Sequence, residues 1–318
     1  MFLEYFKITG LAIAQIFFLG AIGFFLVKRN VLSAEGLSAL SRIVIQVIFP
    51  ALIFSQLIRK FTFSLYPQWW MFPLISLMIT VSGLALAMLF SWVPKKPVLK
   101  EQFFSLIAFQ NSGYLPLALV AAIFSGEQLS TMFIYIFLFL LGFDLVMWSL
   151  GIHMLTRKAE QKFKLSSIFS VPVIASLGSL LIIFLGLARF IPQGVLAPVE
   201  MIGNCTLPLA MFIVGGNIAF IRLEHVRKLE VFWILLCKLI ILPAVGLYLV
   251  VLFGLSELLG FLIVMQLAMP SATSLSVIIS HHKKEDVLVS QGIFYTHIVS
   301  LITIPLFLSL YLALRVIK

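Results

Sequence analysis

Long apolar runs bounded by charge, proline or glycine alternate with short polar connections along the whole chain. In the first half they extend over about Phe6 to Val27, Leu40 to Leu57, Trp70 to Trp92, Phe103 to Phe124 and Thr131 to His153. In the second half they extend over about Ile168 to Ala188, Leu196 to Phe220, Val231 to Phe253, Leu258 to Ser280 and Ser290 to Leu314. About 20 apolar residues cross a bilayer as a helix, so each run predicts one span. The runs are too long for the strands of a transmembrane barrel and lack its alternation, whereas a helix satisfies its own backbone in lipid. The expected fold is an all-α membrane protein of ten transmembrane helices.

Composition agrees. Of 318 residues, 62% are hydrophobic and 11% charged, against about a quarter charged in a soluble domain. The net charge of +10 would suit a nucleic-acid partner, but its distribution gives another cause. Ten spans divide the connections into two alternating sets, one with 15 Lys and Arg and the other, with both termini, only 6, while Lys238 lies inside a span. Basic residues accumulate on the cytoplasmic side, which places both termini outside and leaves no need for nucleic acid. The first span reads as a retained helix, not a cleaved signal, since Glu4 and Lys7 precede it and Lys28-Arg29 follow it. Trp69, Trp70 and Trp92 sit near predicted interfaces, as aromatic belts do.

The chain also repeats internally. Pro50 stands in Phe49-Pro50-Ala51-Leu52-Ile53-Phe54, and Pro208 stands 158 residues later in Leu207-Pro208-Leu209-Ala210-Met211-Phe212. The same offset carries Asn111 of span four to position 269, beside Pro270 of span nine. The halves are therefore read as residues 1–153 and 168–318, joined by a short cytoplasmic linker at 154–167. Five spans per half invert the second copy in the membrane, and 5+5 inverted repeats of this kind place substrate near the midplane in many secondary transporters.

Polar chemistry concentrates at two places. Span four contains Gln110-Asn111-Ser112-Gly113-Tyr114-Leu115-Pro116, where Pro116 removes a donor and Gly113 lets the chain leave the helix, with Asn111 and Ser112 as caps for a restart. Span nine contains Met269-Pro270-Ser271-Ala272-Thr273-Ser274, with a second helix start expected near Pro270. Two broken, crossing helices would aim two half-helix amino ends at one place, a ready site for a carboxylate. The plainer alternative is a pair of proline-kinked helices whose Ser and Thr bond back to freed carbonyls.

Ionisable groups inside spans are few: Asp144, Lys238 and His297. They are candidates for coupling or for an ion pair, since Asp144 and Lys238 lie at similar depth. The alternatives are a structural pair, a snorkelling lysine and a packed histidine. His281-His282-Lys283-Lys284 reads as a topology signal at a cytoplasmic helix end, and Cys205 and Cys237 as small packing residues. No metal site, cofactor or catalytic residue is expected.

These motifs, with Thr296-His297-Ile298-Val299-Ser300-Leu301-Ile302-Thr303-Ile304-Pro305-Leu306 of span ten, resemble the auxin efflux carrier family over essentially the whole chain. The resemblance implies a fold shared with bile acid and sodium symporters. It implies a scaffold of helices 1, 2, 6 and 7, and a transport domain of helices 3–5 and 8–10. Crossover breaks would fall at Pro116 and Pro270, and Asn111 would help hold the substrate carboxylate. Asn111, Ser112, Gly113, Tyr114, Ser271 and Thr273 are the candidate substrate-binding residues. The family's frequent second glycine before the proline is absent, since Tyr114-Leu115 directly precede Pro116. The short central link resembles bacterial members, which implies a multi-pass protein of the bacterial inner membrane, with a homodimer as a candidate assembly.

The leading expectation is a secondary transporter of a small organic anion working by an elevator-type movement. A sodium-coupled symporter of the bile-acid type is the alternative, although the crossover motifs offer sodium only neutral oxygens. A passive channel ranks lower, because the half-helix pair closes a central site. An intramembrane enzyme ranks lowest, since no clustered nucleophile and base or metal-ligating motif is present.

Overall fold

The computed structural model describes residues 2–151, 154–155, 170–221, 223, 225–281 and 287–316. Among them the chain is helical, and seven helices are long and apolar enough to cross a membrane. These are α1 (Phe2–Lys28), α2 (Ala34–Lys60), α3 (Met71–Leu89), α6 (Gly126–Gly151), α8 (Gln193–Ala219), α9 (Lys228–Leu252) and α12 (Val287–Val316), the last counted over Leu288–Arg315. Shorter apolar helices α5 (Tyr114–Ile123), α7 (Val171–Phe184) and α10 (Glu257–Ala268) lie between them, with α4 (Pro97–Ala108) and α11 (Ser274–His281). The sequence runs match these helices except at two places, where α4 and α5 divide the fourth run and α10 and α11 the ninth. Most of the linker, His153, Arg222 and His282-Lys283-Lys284 lie outside the described residues.

Local chemistry explains the ends and irregularities. Ser33 caps α2 by accepting from the Gly36 N–H at 3.1 Å, and Ser170 caps α7 through Val173 N–H at 3.4 Å. Two helices continue through proline by widening. A π-turn at Val44–Ile48 precedes Pro50 in α2, and another at Cys237–Ile241 precedes Pro243 in α9. A proline ring clashes with the carbonyl four residues back, and a single wider turn at that carbonyl relieves the clash.

Packing is close where small residues meet. Gly20 and Gly23 of α1 lie against Gly215 and Phe212 of α8, so near that a β-carbon on Gly23 or Gly215 would overlap the opposing backbone. Gly203 of α8 packs in the same way on Ala51 and Leu52 of α2. In lipid there is little hydrophobic drive between helices, and close backbone approach supplies the dispersion contact instead. Beside this contact the Thr206 hydroxyl donates to the Ile48 carbonyl at 3.3 Å, across a separation of 158 residues. That is the offset relating Pro50 to Pro208 in the sequence.

α1 packs chiefly on the second part of α8, and α2 packs on α7 and the first part of α8. α3 packs on α4 and α6, while α9 and α10 pack on each other and on α12. α1 also packs extensively on α12 and on α5.

Candidate functional site

The two helix breaks meet. Residues 109–113 and 269–273 run antiparallel and pair through their backbones, with Gln110 opposite Ser271. The Asn111 N–H donates to the Pro270 carbonyl at 2.8 Å, and the Ala272 N–H donates to the Phe109 carbonyl at 3.0 Å. Two unwound segments at membrane depth thus satisfy each other's backbone, which is what a dry environment demands. Side chains complete the fastening. Ser271 donates its hydroxyl to the Leu106 carbonyl at 2.7 Å and its backbone N–H to Thr296 Oγ1 at 3.2 Å. Gln266 Nε2 donates to the Ser112 carbonyl at 3.1 Å.

The helices restart later than the sequence suggests. α5 begins at Tyr114, and its N-cap is Gly113 with no side-chain hydrogen bond, so Asn111 and Ser112 do not act as caps. Pro116 sits in the first turn of α5, where a missing donor costs nothing, and the first bond closes from Leu117 N–H to the Gly113 carbonyl at 3.0 Å. Pro270 lies within the extended segment, not at a helix start, and α11 begins four residues later at Ser274. Pairing with the opposite break competes with immediate helix renucleation and wins.

A cavity of about 150 Å³ opens beside the paired segments. Gln110, Asn111, Ser112, Gly113 and Tyr114 line one side and Ala272, Thr273 and Ser274 another, so both half-helix amino ends border it. α2 closes it with Ile45 and Phe49, α6 with Asp144 and its neighbours, and α7 with Ser170 and Pro172. Phe49 also packs edge-on against the Tyr114 ring, with centroids 5.7 Å apart. Of the candidates, Asn111, Ser112, Gly113, Tyr114 and Thr273 are brought together here, whereas Ser271 is turned away and fastens the break instead.

Two residues of the cavity wall hold buried amide atoms with no bonding partner, Asn111 at Nδ2 and Gln110 at both side-chain atoms, and Gln266 Oε1 behind the Ser112 carbonyl is a further one. Native interiors leave few such atoms, and each one costs about 1–3 kcal/mol. Three of these atoms belong to Gln110 and Asn111, which line the cavity. Gln110 and Gln266 carry no helix-breaking signal, which is why their part in the site was not legible from the motifs.

The intramembrane ionisable residues do not gather as a pair. Lys238 is fully buried and donates to the Ile107 carbonyl at 3.1 Å, while Asp144 accepts from the Ser170 hydroxyl at 3.1 Å. Among the described residues no Asp144–Lys238 ion pair forms, and each side chain has a different partner. His297 bonds through Nδ1 to the Ile293 carbonyl at 2.8 Å of its own helix. It lines a separate, larger cavity of about 340 Å³ that is almost wholly apolar, between α1, α5, α8 and α12. The paired segments themselves carry only neutral oxygens, and α6 adds the Asp144 carboxylate to the cavity wall.

Fold and site together define a multi-pass helical membrane protein with a small polar cavity at two paired helix breaks. The chain belongs to the family described as membrane transport proteins, whose profile matches residues 10–169 and 152–308. It is similar to Protein PIN-LIKES 6 of Arabidopsis thaliana, 30% identical over 120 residues that span 37% of this chain and 28% of that protein. It is also similar to an uncharacterized transporter of Methanothermobacter thermautotrophicus, 27% identical over 298 residues, covering 90% of this chain and 92% of that one. These matches bear out the resemblance to the auxin efflux carrier family.

Proposed function

We propose that the protein is a secondary transporter of a small organic carboxylate, bound at the cavity beside the paired breaks. The observation that carries this reading is Asn111, whose Nδ2 is a buried donor with no partner on the cavity wall. The amino ends of α5 and α11 flank it and add about half a positive charge each. A cavity of about 150 Å³ is below the roughly 300–1,000 Å³ typical of drug-sized ligands, which favours a carboxylate of few atoms.

Movement is of the elevator type in this reading, with α1, α2, α7 and α8 as the fixed scaffold and the remaining helices as the moving body. In support, the crossover cavity is walled by α2 and α7 of the one body and by both breaks of the other. The touching of Ile48 and Thr206 supports a 5+5 inverted repeat of ten spans. An inside-negative potential favours export of an anion by about 2.3 kcal/mol per charge per 100 mV.

The test is a thermal-shift screen of the purified protein against mono- and dicarboxylates, followed by counterflow of the best ligand in proteoliposomes. A bound carboxylate raises apparent stability by mass action. Asn111→Ala should lose about tenfold or more in affinity, the worth of a charge-assisted hydrogen bond of about 1.5–3 kcal/mol. Unchanged affinity in Asn111→Ala would remove this residue from the site, and ion conductance without counterflow would favour a channel.

A further inference from the structure

The cavity proposed for an anion has a charged wall of the wrong sign. Asp144 is the charged side chain among its described lining residues. α2 presents Ile45 and Phe49, α7 presents Ser170 and Pro172, and α6 itself presents Leu140, Phe143, Met147 and Trp148 beside Asp144. The first break presents Gln110 to Tyr114, of which Tyr114 alone is titratable, and the second presents Ala272 to Ser274. No Lys, Arg or His among the described lining residues neutralises the carboxylate. The Ser170 hydroxyl, which also caps α7, donates to it and is neutral. Lys238 is fully buried behind the crossover, with its ammonium on the Ile107 carbonyl.

Two carboxylates sharing a small, poorly hydrated site do not both stay ionised, because each charge disfavours the other. A substrate carboxylate entering beside Asp144 is such a second charge. It has the better claim to the negative form, since the unpartnered Asn111 donor and the two helix amino ends favour its charge. Asp144 has a single hydroxyl donor.

We infer that Asp144 is the coupling carboxylate of this transporter: it takes up one proton when the organic anion binds and releases it when the anion leaves. This rests on the carboxylate-carrier reading above. The proton comes from water on the side to which the cavity is open, forms an O–H bond on the Asp144 carboxylate, and returns to water on the opposite side after the anion dissociates. A monocarboxylate then crosses with one proton and no net charge. The Ser170 bond gives the step a structural readout, since the hydroxyl that accepts from α7 also senses the charge on Asp144.

The experiment measures affinity by thermal shift and calorimetry between pH 5 and 8.5 for acetate, malonate and malate, with the wild-type protein, Asp144→Asn and Asp144→Glu. One linked proton makes wild-type affinity fall about tenfold per pH unit above the titration midpoint. Asp144→Asn keeps the shape and loses the titration, so its affinity should be flat with pH, and at pH 8 at least about tenfold above wild type by the same linkage. Asp144→Glu should keep the slope. Equal pH slopes in wild type and Asp144→Asn would overturn the inference while leaving the carrier reading intact. Binding that requires sodium in wild type and not in Asp144→Asn would also overturn it, assigning the carboxylate to a metal cation. If none of the three probes binds any variant at any pH while each remains folded, the carboxylate-carrier reading fails and the inference falls with it.

Discussion

The Lys238 ammonium donates to the Ile107 carbonyl at 3.1 Å, joining the π-turn of α9 to the last turn of α4. Carbonyls at a helix end have no partner within the helix and carry its negative partial charge. α4 ends inside the protein because its continuation unwinds to pair with the other break, so no water is there to serve it. Lys238 supplies the missing donor.

Lys238→Met keeps most of the stem and removes the donor. It should lower stability by about 1.5–3 kcal/mol, the usual worth of a hydrogen bond to a charged group. Apparent unfolding temperature in detergent, compared with wild type, is the measurement. An unchanged midpoint would mean that Lys238 only fills space behind the crossover.

The glycines make a second, sharper contrast. A β-carbon on Gly203 would lie 2.7 Å from the Leu52 Cα and N atoms, whereas one on Gly10 would meet nothing within 4 Å. Backbone cannot move aside as a side chain can, so Gly203→Ala should push α8 from α2 and cost about 1–3 kcal/mol. Gly10→Ala, in the interior of α1, should stabilise by about 0.5–1 kcal/mol through lower chain entropy. Equal effects of the two substitutions on the unfolding midpoint would refute the close approach of α2 and α8.

Much of this was legible in the sequence because bilayer chemistry leaves few choices. Apolar runs must be helices, and the breaks announce themselves by Asn111-Ser112-Gly113 and Pro270 in oily surroundings. Proline marked where a helix fails but not what replaces it. The antiparallel pairing of 109–113 with 269–273 is a tertiary bond between distant segments, and it displaced the expected start at Pro270 and the expected caps. Depth along a helix was legible, so Asp144 and Lys238 were placed at one level. Direction around the helix was not, because lipid-facing and protein-facing sides are both apolar and leave no amphipathic stripe to set the rotation. Asp144 therefore turned out to face the cavity and Lys238 to lie behind it.

Orientation in the membrane supplies the last prediction. Lys28-Arg29, Lys95-Lys96 and Arg227-Lys228 lie at one set of helix ends, while the opposite set carries Arg59-Lys60 and Arg189. Arg59 is moreover engaged by Glu200 at 3.1 Å and by Gln193 at 2.9 Å, so part of the smaller basic set is neutralised locally. A bias of this kind in short loops sets orientation, and it predicts that the α1–α2 connection is cytoplasmic. With Cys205 and Cys237 replaced by serine, Asn30→Cys should resist an impermeant maleimide in intact cells and react after lysis. Ser125→Cys, between α5 and α6, should react in intact cells. The reverse pattern would invert the assigned topology, and labelling of both positions from outside would break the alternation of spans on which the inverted repeat depends.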